Sequence, residues 1–413
     1  MHSPDPPPLR LLLIIHTAWS RNLGASRVLV ELTDELRAMG HTVTKFSVED
    51  AFPASNRPRR YVHQYLRPLT AHYRTHVVFP RRARAFVAAN GNRFDVVDAL
   101  HTDLPYSKRQ LRFRGVLVAR SVGLLPAYRE FDRWAAKHWP DEISARDLLF
   151  RLLTLPSFYR RVKDIARSFH NADVVNVSNR DDLVTVGDLL GDHGKVVALP
   201  FGLSDERLAS FARAAAAPAR RLEAQTVVFI GAWNPRKGSR DWPAIAANVL
   251  QERPGTRFLF LGTGQSRDYV LRLLPAALRP SIEVIPAFDS DQLPELLSNC
   301  TVGAFPGYLE GFGFAVLEKL AAGLPTVTYD APGPREMMCH KAFQTVVSRG
   351  DIKEFSLTLV KLLTLSIDEY ALHSEDSGRV AKMFSWREIA ARTVDRYRHA
   401  LTTVNQRLDE HSR

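Results

Sequence analysis

Short runs of continuous apolar residues alternate with amphipathic stretches along most of this chain. Leu9 to Ile15 is apolar throughout, which fits a strand buried on both faces. A loop over 16–25 follows. Val28, Leu32, Leu36 and Met39 then recur at helical spacing, and Gly40 supplies a stop, so a helix is predicted over about 26–39. Thr42 to Val48 reads as the next strand. Further strands are predicted at Phe94–Val97, Gly115–Ala119, Val174–Val177 and Val196–Leu199. Ser204 to Ala219, rich in Ala and Arg, reads as a linker or short helix. The pattern then restarts. Strands are predicted at Thr226–Ile230, Phe258–Leu261, Ile282–Ile285, Val302–Pro306 and Thr326–Tyr329. Helices are predicted at Trp242–Leu250, Tyr269–Leu278, Leu293–Ser298 and Ala315–Ala322. Ser385-Trp386-Arg387-Glu388 has capping-box form, and apolar positions to Leu401 follow at helical spacing with no strand after them.

Strand–helix alternation of this kind predicts an α/β fold with doubly wound parallel sheets. At 413 residues the chain exceeds one ordinary core, and the restart predicts two. The expected domains are residues 1–203, residues 204–384, and a terminal helix over 385–413 that packs back on the first domain.

Composition narrows the class. Hydrophobic content of 45% and charged content of 24% suit a globular protein. The two cysteines, Cys300 and Cys339, offer neither a disulfide framework nor metal-ligand spacing. A reducing, cytoplasmic setting is expected. The apolar run at Leu11–Ile15 is too short to span a bilayer, and no signal peptide is evident. Residues 1–203 hold 30 Lys+Arg against 20 Asp+Glu, and so carry +10 of the net +12. The excess lies mainly in 51–120. Arg57, Arg59, Arg60, Arg67, Arg74, Arg81, Arg82 and Arg84 are interleaved there with Tyr61, Tyr65, Leu66, Leu69 and Tyr73. Such a surface suits anionic headgroups at the inner face of a membrane. Nucleic acid is not the expected partner, since no recognition helix, zinc spacing or aromatic-interleaved strand accompanies the charge.

The candidate chemistry centres on Glu310-Gly311-Phe312-Gly313-Phe314-Ala315-Val316-Leu317-Glu318. Glu310 falls on a loop between a predicted strand and helix, and Glu318 inside that helix. The first-turn amides near Gly311, Phe312, Gly313 and Phe314 lack intrahelical partners and can receive an anion or sugar oxygens. Glycine there lets a ligand approach the backbone.

Together with its flanks this motif resembles the retaining glycosyltransferases of family 4, which have the GT-B fold of two Rossmann-like domains facing across a cleft. Glu310 to Glu318 is similar to the family's E-x7-E motif. Ala321 to Pro325 and Asp330 continue the pattern. Gly231 to Gly238, with Arg236 and Lys237, resembles the phosphate-binding loop of the second domain, and Gly262-Thr263-Gly264 its next loop. Asn22 to Ala25 resembles the first-domain glycine loop, Gly40 to Val43 the start of its second strand, and Leu199 to Gly202 the hinge entry. The resemblance implies a nucleotide-diphosphate sugar donor and a glycan or lipid-linked acceptor. Glu310 would bond hydroxyls of the donor sugar and Glu318 those of the ribose. Arg236 and Lys237 would meet the diphosphate, and Gly24 would close on it from the first domain. Retention without a protein nucleophile, and without a cofactor or metal, is likewise implied. One departure stands out. Relatives often carry a histidine where this chain has Val122, which suggests a donor lacking a polar group there, a local shift in alignment, or a slow or inactive enzyme. A nucleotide-sugar epimerase or phosphorylase on the same fold, and a non-catalytic nucleotide-sugar-binding protein, are the alternatives.

Overall fold

The structure, a computed structural model, describes residues 7–21, 24–53, 67–139 and 145–412. The chain divides into two compact units. One comprises 1–126, 136–199 and 387–413, and the other 127–135 and 200–386. Residues 127–135, which the sequence reading left in the first domain, group with the second.

The first unit holds a six-stranded sheet built from β1 (Arg10–Ile14), β2 (Thr42–Phe46), β3 (Val96–Leu100), β4 (Val116–Arg120), β5 (Val174–Val177) and β6 (Val196–Ala198). Its order is β2-β1-β3-β4-β5-β6, with all pairs parallel. The second unit holds β7 (Thr226–Ile230), β8 (Arg257–Leu261), β9 (Ile282–Ile285), β10 (Val302–Phe305), β11 (Thr326–Tyr329) and β12 (Val346–Val347). Its order is β12-β11-β10-β7-β8-β9, again parallel. Parallel strands need crossovers that cover both faces of a sheet, so the central strands are buried along their length and read as unbroken apolar runs.

Several elements differ from the sequence reading. β3 extends to Leu100, past Asp98. That carboxylate is fully buried and meets Arg120 of β4 across the sheet, with Arg120 Nη2 to Asp98 Oδ2 at 2.6 Å. A charge in a strand reads as an end when its partner lies 22 residues away. The segment after Ser204, read as a linker or short helix, is helical. It forms helices Asp205–Ala214 and Pro218–Ala224, the first capped by the Ser204 hydroxyl, which accepts from Arg207 N. The helix expected at 269–278 is divided near Pro275 into Arg267–Arg272 and a 3₁₀ segment, Ala276–Ser281.

The terminal helix, Trp386–Ser412, joins the first unit from Arg387 onward. Tyr397, fully buried, donates its hydroxyl to Asp98 and accepts from Arg120 Nη2 at 3.2 Å. Burial works against the Arg120 charge, but Asp98 outweighs it and leaves the guanidinium pKa raised. Cys300 is buried, and burial pushes its thiol up to about 12, whereas Cys339 is exposed. Among the described residues, no helix is long and apolar enough to cross a membrane.

Candidate functional site

In an open parallel sheet, the loops leaving the carboxyl ends of the strands diverge where the strand order reverses, and ligands bind in the crevice between them. In the second unit the order reverses between β7 and β10. The loop after β7 carries Arg236 and Lys237, and the loop after β10 carries Glu310.

The two loops are locked together. Gly238 has φ +84°, and a Cβ there would sit 2.1 Å from the Pro306 carbonyl oxygen. Only glycine permits that approach. Arg236 O accepts from Tyr308 N at 2.9 Å, while Arg236 Nη1 donates to Leu309 O at 3.1 Å. Asn234 Oδ1 accepts from Lys237 N at 3.1 Å and fixes the turn. The β10 loop is pinned from below by Asp241 Oδ2, which accepts from Tyr308 at 2.9 Å and Tyr329 at 2.8 Å. Burial raises the Asp241 pKa, and the two hydroxyl donors act against that shift.

These constraints bring three predicted residues together. Lys237 Nζ donates to Glu310 Oε2, and Arg236 Nη1 lies 3.6 Å from the same oxygen. The side chains of Lys237 and Glu310 keep 14% and 17% of their surface exposed, enough for a ligand to reach them. Arg236 also faces the ring of Tyr128, 5.2 Å away, while Phe131 and Trp134 approach Tyr308 at 6.0 and 5.2 Å. Those three aromatics come from 127–135 and were not foreseen.

The helix that carries the second half of the motif begins at Phe314, with Gly313 as its N-cap, and ends at Ala321. Gly311, Phe312 and Gly313 are buried, and Phe314 is half-buried. Phe312 turns its ring into a cluster with Phe201 and Phe314, each 5.2 Å away, so a ligand would meet its backbone only. Glu318 lies within the helix, 5% exposed, with Arg207 Nη2 4.0 Å from its Oε1. Arg207 was missed because its Ala- and Arg-rich segment reads only as a linker or short helix between the domains. Gly24 opens the helix Gly24–Ala38 of the first unit and is exposed. Asn22 and Leu23 of the same predicted loop lie outside the described residues. Val122 is half-buried in the first unit.

Lys319 was also missed. It is fully buried, and its Nζ donates to Ala304 O at 2.8 Å. Its ammonium and that of Lys237 stand 5.3 and 5.0 Å from the Phe305 ring centroid. Burial brings the Lys319 pKa down to about 7, with Lys237 adding to the shift and Glu318 opposing it.

Residues 212–377 match the family described as glycosyl transferases group 1. The matched segment contains all of the Arg236, Lys237, Glu310 and Glu318 constellation. The chain is similar to a GDP-mannose:cellobiosyl-diphosphopolyprenol alpha-mannosyltransferase of Xanthomonas oryzae, 25% identical over 189 residues, covering 43% of this chain and 47% of that one. It thus spans about half the length of the curated relatives it matches. Among solved structures, sucrose-phosphate synthase from Thermosynechococcus elongatus aligns with a TM-score of 0.71 at 16% identity, over 95% of this chain and 100% of that one. Anabaena HepE in complex with UDP-glucose aligns with a TM-score of 0.63 at 15% identity, over 94% and 99%. The fold is GT-B.

The predicted basic run is only partly in view, because residues 57–66 lie outside the described residues. Arg74 and Arg82 pack on the Phe52 ring at 4.2 and 4.5 Å. Arg81 and Arg84 are exposed and line a cleft of about 640 Å³, together with Arg112, Arg160, Arg167 and the carboxylate of Asp164.

Proposed function

We propose that this protein is a retaining glycosyltransferase of family 4, moving a sugar from a nucleotide-diphosphate donor to a glycan or lipid-linked acceptor. The observation that carries the reading is the convergence of Arg236 and Lys237 on Glu310 at the switch point of the second sheet. The carboxylate can accept from sugar hydroxyls, and the two cations can then face the diphosphate. As the bond from the anomeric carbon to the diphosphate oxygen breaks, its electron pair goes to that oxygen. The acceptor hydroxyl adds to the same face of the sugar, and its proton passes to the departing diphosphate. Negative charge on the diphosphate grows along this path, so Arg236 and Lys237 favour the transition state over the bound donor. The mannosyltransferase relative, named for a diphosphopolyprenol glycan, supports the acceptor class.

A thermal-shift series with UDP, GDP, dTDP and ADP and their sugars tests this reading, since a ligand that binds the folded state raises Tm. Glu318→Ala should weaken nucleotide binding by about 1–3 kcal/mol, the cost of an unmet buried hydroxyl. Glu310→Ala should retain nucleotide and lose turnover. Full affinity and activity in both variants would overturn the assignment. Conversion of the sugar nucleotide to its free epimer without an acceptor would indicate an epimerase instead.

The arginine-lined cleft of the first unit supports peripheral attachment to an anionic membrane face. Each Arg near such a surface contributes about 1 kcal/mol. Vesicles containing anionic lipid should therefore sediment the protein at low salt and release it as salt rises. Reversing Arg81, Arg84 and Arg112 to Glu should abolish the effect. Equal recovery with neutral vesicles would rule the attachment out.

A further inference from the structure

The first sheet has a switch point of its own, between β1 and β3. The residues immediately beyond those two strand ends are not among those assigned to the donor above. His16 follows β1, and His101-Thr102-Asp103 follow β3. Asp103 ties the two ends together. Its Oδ2 accepts from His16 N at 2.9 Å, and its Oδ1 stands 2.7 Å from His16 Nδ1. The Thr102 hydroxyl donates to Oδ1 at 2.9 Å.

Two more imidazoles and a guanidinium gather on the far side of His16. Its ring meets His76 edge-on at 5.6 Å, and His76 meets His72 at 4.6 Å. His72 Nε2 lies 2.6 Å from Ser157 Oγ on the helix Ala145–Asn171. One turn along that helix stands Arg161, whose Nε is buried without a hydrogen-bond partner among the described residues. His101 faces inward, its Nδ1 3.2 Å from Arg120 O. His16, His76 and His72 thus form a row beside Arg161, with Asp103 bonded to His16 at one end, at the position where this kind of sheet receives a ligand.

The electrostatics agree with the geometry. Burial lowers the pKa of His76 to about 3, helped by the charges of Arg161, His16 and His72. Burial and Arg161 also lower His72. At His16 burial opposes protonation, but Asp103 outweighs it and raises the pKa. The cluster holds more proton sites than its own negative charge can support. A dianion among them would supply that charge and accept from the unsatisfied donor.

We propose that His16, His72, His76 and Arg161 form a binding site for a phosphoryl group, and that the acceptor carries this group. The second clause rests on the transferase reading. The phosphoryl site itself does not.

Histidine-ring NMR of the full chain tests both, with inorganic pyrophosphate and geranyl diphosphate as probes. Either probe should raise the His72 and His76 pKa values by about 1 unit or more, as an opposite charge at contact distance does. Arg161→Gln should weaken binding at least tenfold, while the Tm gain from sugar nucleotides stays unchanged. If that variant unfolds, Arg161→Lys and His72→Asn should each weaken binding with unaltered circular dichroism. Tighter binding of geranyl diphosphate than of pyrophosphate supports an acceptor-borne group, and equal or weaker binding overturns that half. Rings unmoved by either probe, in protein that sugar nucleotides still stabilise, overturn the site. Rings that respond in protein that no sugar nucleotide stabilises leave the site standing and remove the donor reading instead.

Discussion

Replacing Lys237 by alanine should lower kcat by about 10²–10³-fold, the range seen when one preorganised donor to a developing anion is removed. The expectation follows from where the ammonium is held. Gly238 backs onto Pro306, Asn234 fixes the turn, and Lys237 is thereby delivered to Glu310 without freedom to wander. An interaction fixed in advance costs no reorganisation when charge appears on the leaving diphosphate. KM should change less than kcat, because the bound donor carries less charge on the departing oxygen than the transition state does. Arg236→Ala should act in the same direction. Treatment of the purified enzyme with EDTA should leave the rate unchanged, since the two side chains supply the neutralising charge. A loss in kcat below about tenfold, or a strict need for a divalent ion, would contradict this assignment.

Arg120→Met should destabilise the first unit by about 3–5 kcal/mol, the usual cost of stranding one partner of a buried ion pair. Arg120, Asp98 and Tyr397 are each no more than 1% exposed, so water cannot replace the lost guanidinium. Tyr397→Phe should cost less, about 1–3 kcal/mol, since it removes one hydroxyl and leaves the pair intact. Converting both members of the pair, Asp98→Leu with Arg120→Met, should recover much of the loss, because a buried pair and an apolar replacement of similar size are often near equal. Urea unfolding of the three variants gives the comparison. A loss below about 1 kcal/mol in Arg120→Met would show that the pair is not isolated from solvent.

Much of this architecture could be read from periodicity. Apolar runs marked most of the strands because both faces of a parallel sheet are buried, and Glu310 and Lys237 were legible because glycine and proline punctuate the loops that hold them. What escaped the reading has physical causes. Asp98 and Arg120 look like surface residues until their cross-strand pairing is known. Lys319 looks like the solvated face of a helix, yet its stem runs beside Gly303, where a Cβ would meet Lys319 Cδ at 2.8 Å. Arg207 sits in an Ala- and Arg-rich stretch with the composition of a tether. The aromatic contacts of Tyr128, Phe131 and Trp134 depend on a segment that groups away from its chain neighbours. Long-range partners decide all of these, and local pattern carries no record of them.

The unequal environments of the two cysteines give the protein a single chemical handle. A maleimide needs the thiolate, which the Cys300 thiol, pushed up to about 12 by burial, does not supply near neutral pH. Cys339 is exposed and ends the helix Pro332–Met338, whose Gly333 N donates to Glu310 O at 3.0 Å. One fluorophore per chain can therefore be attached without mutagenesis, on the element bonded to the backbone of the residue expected to meet the sugar.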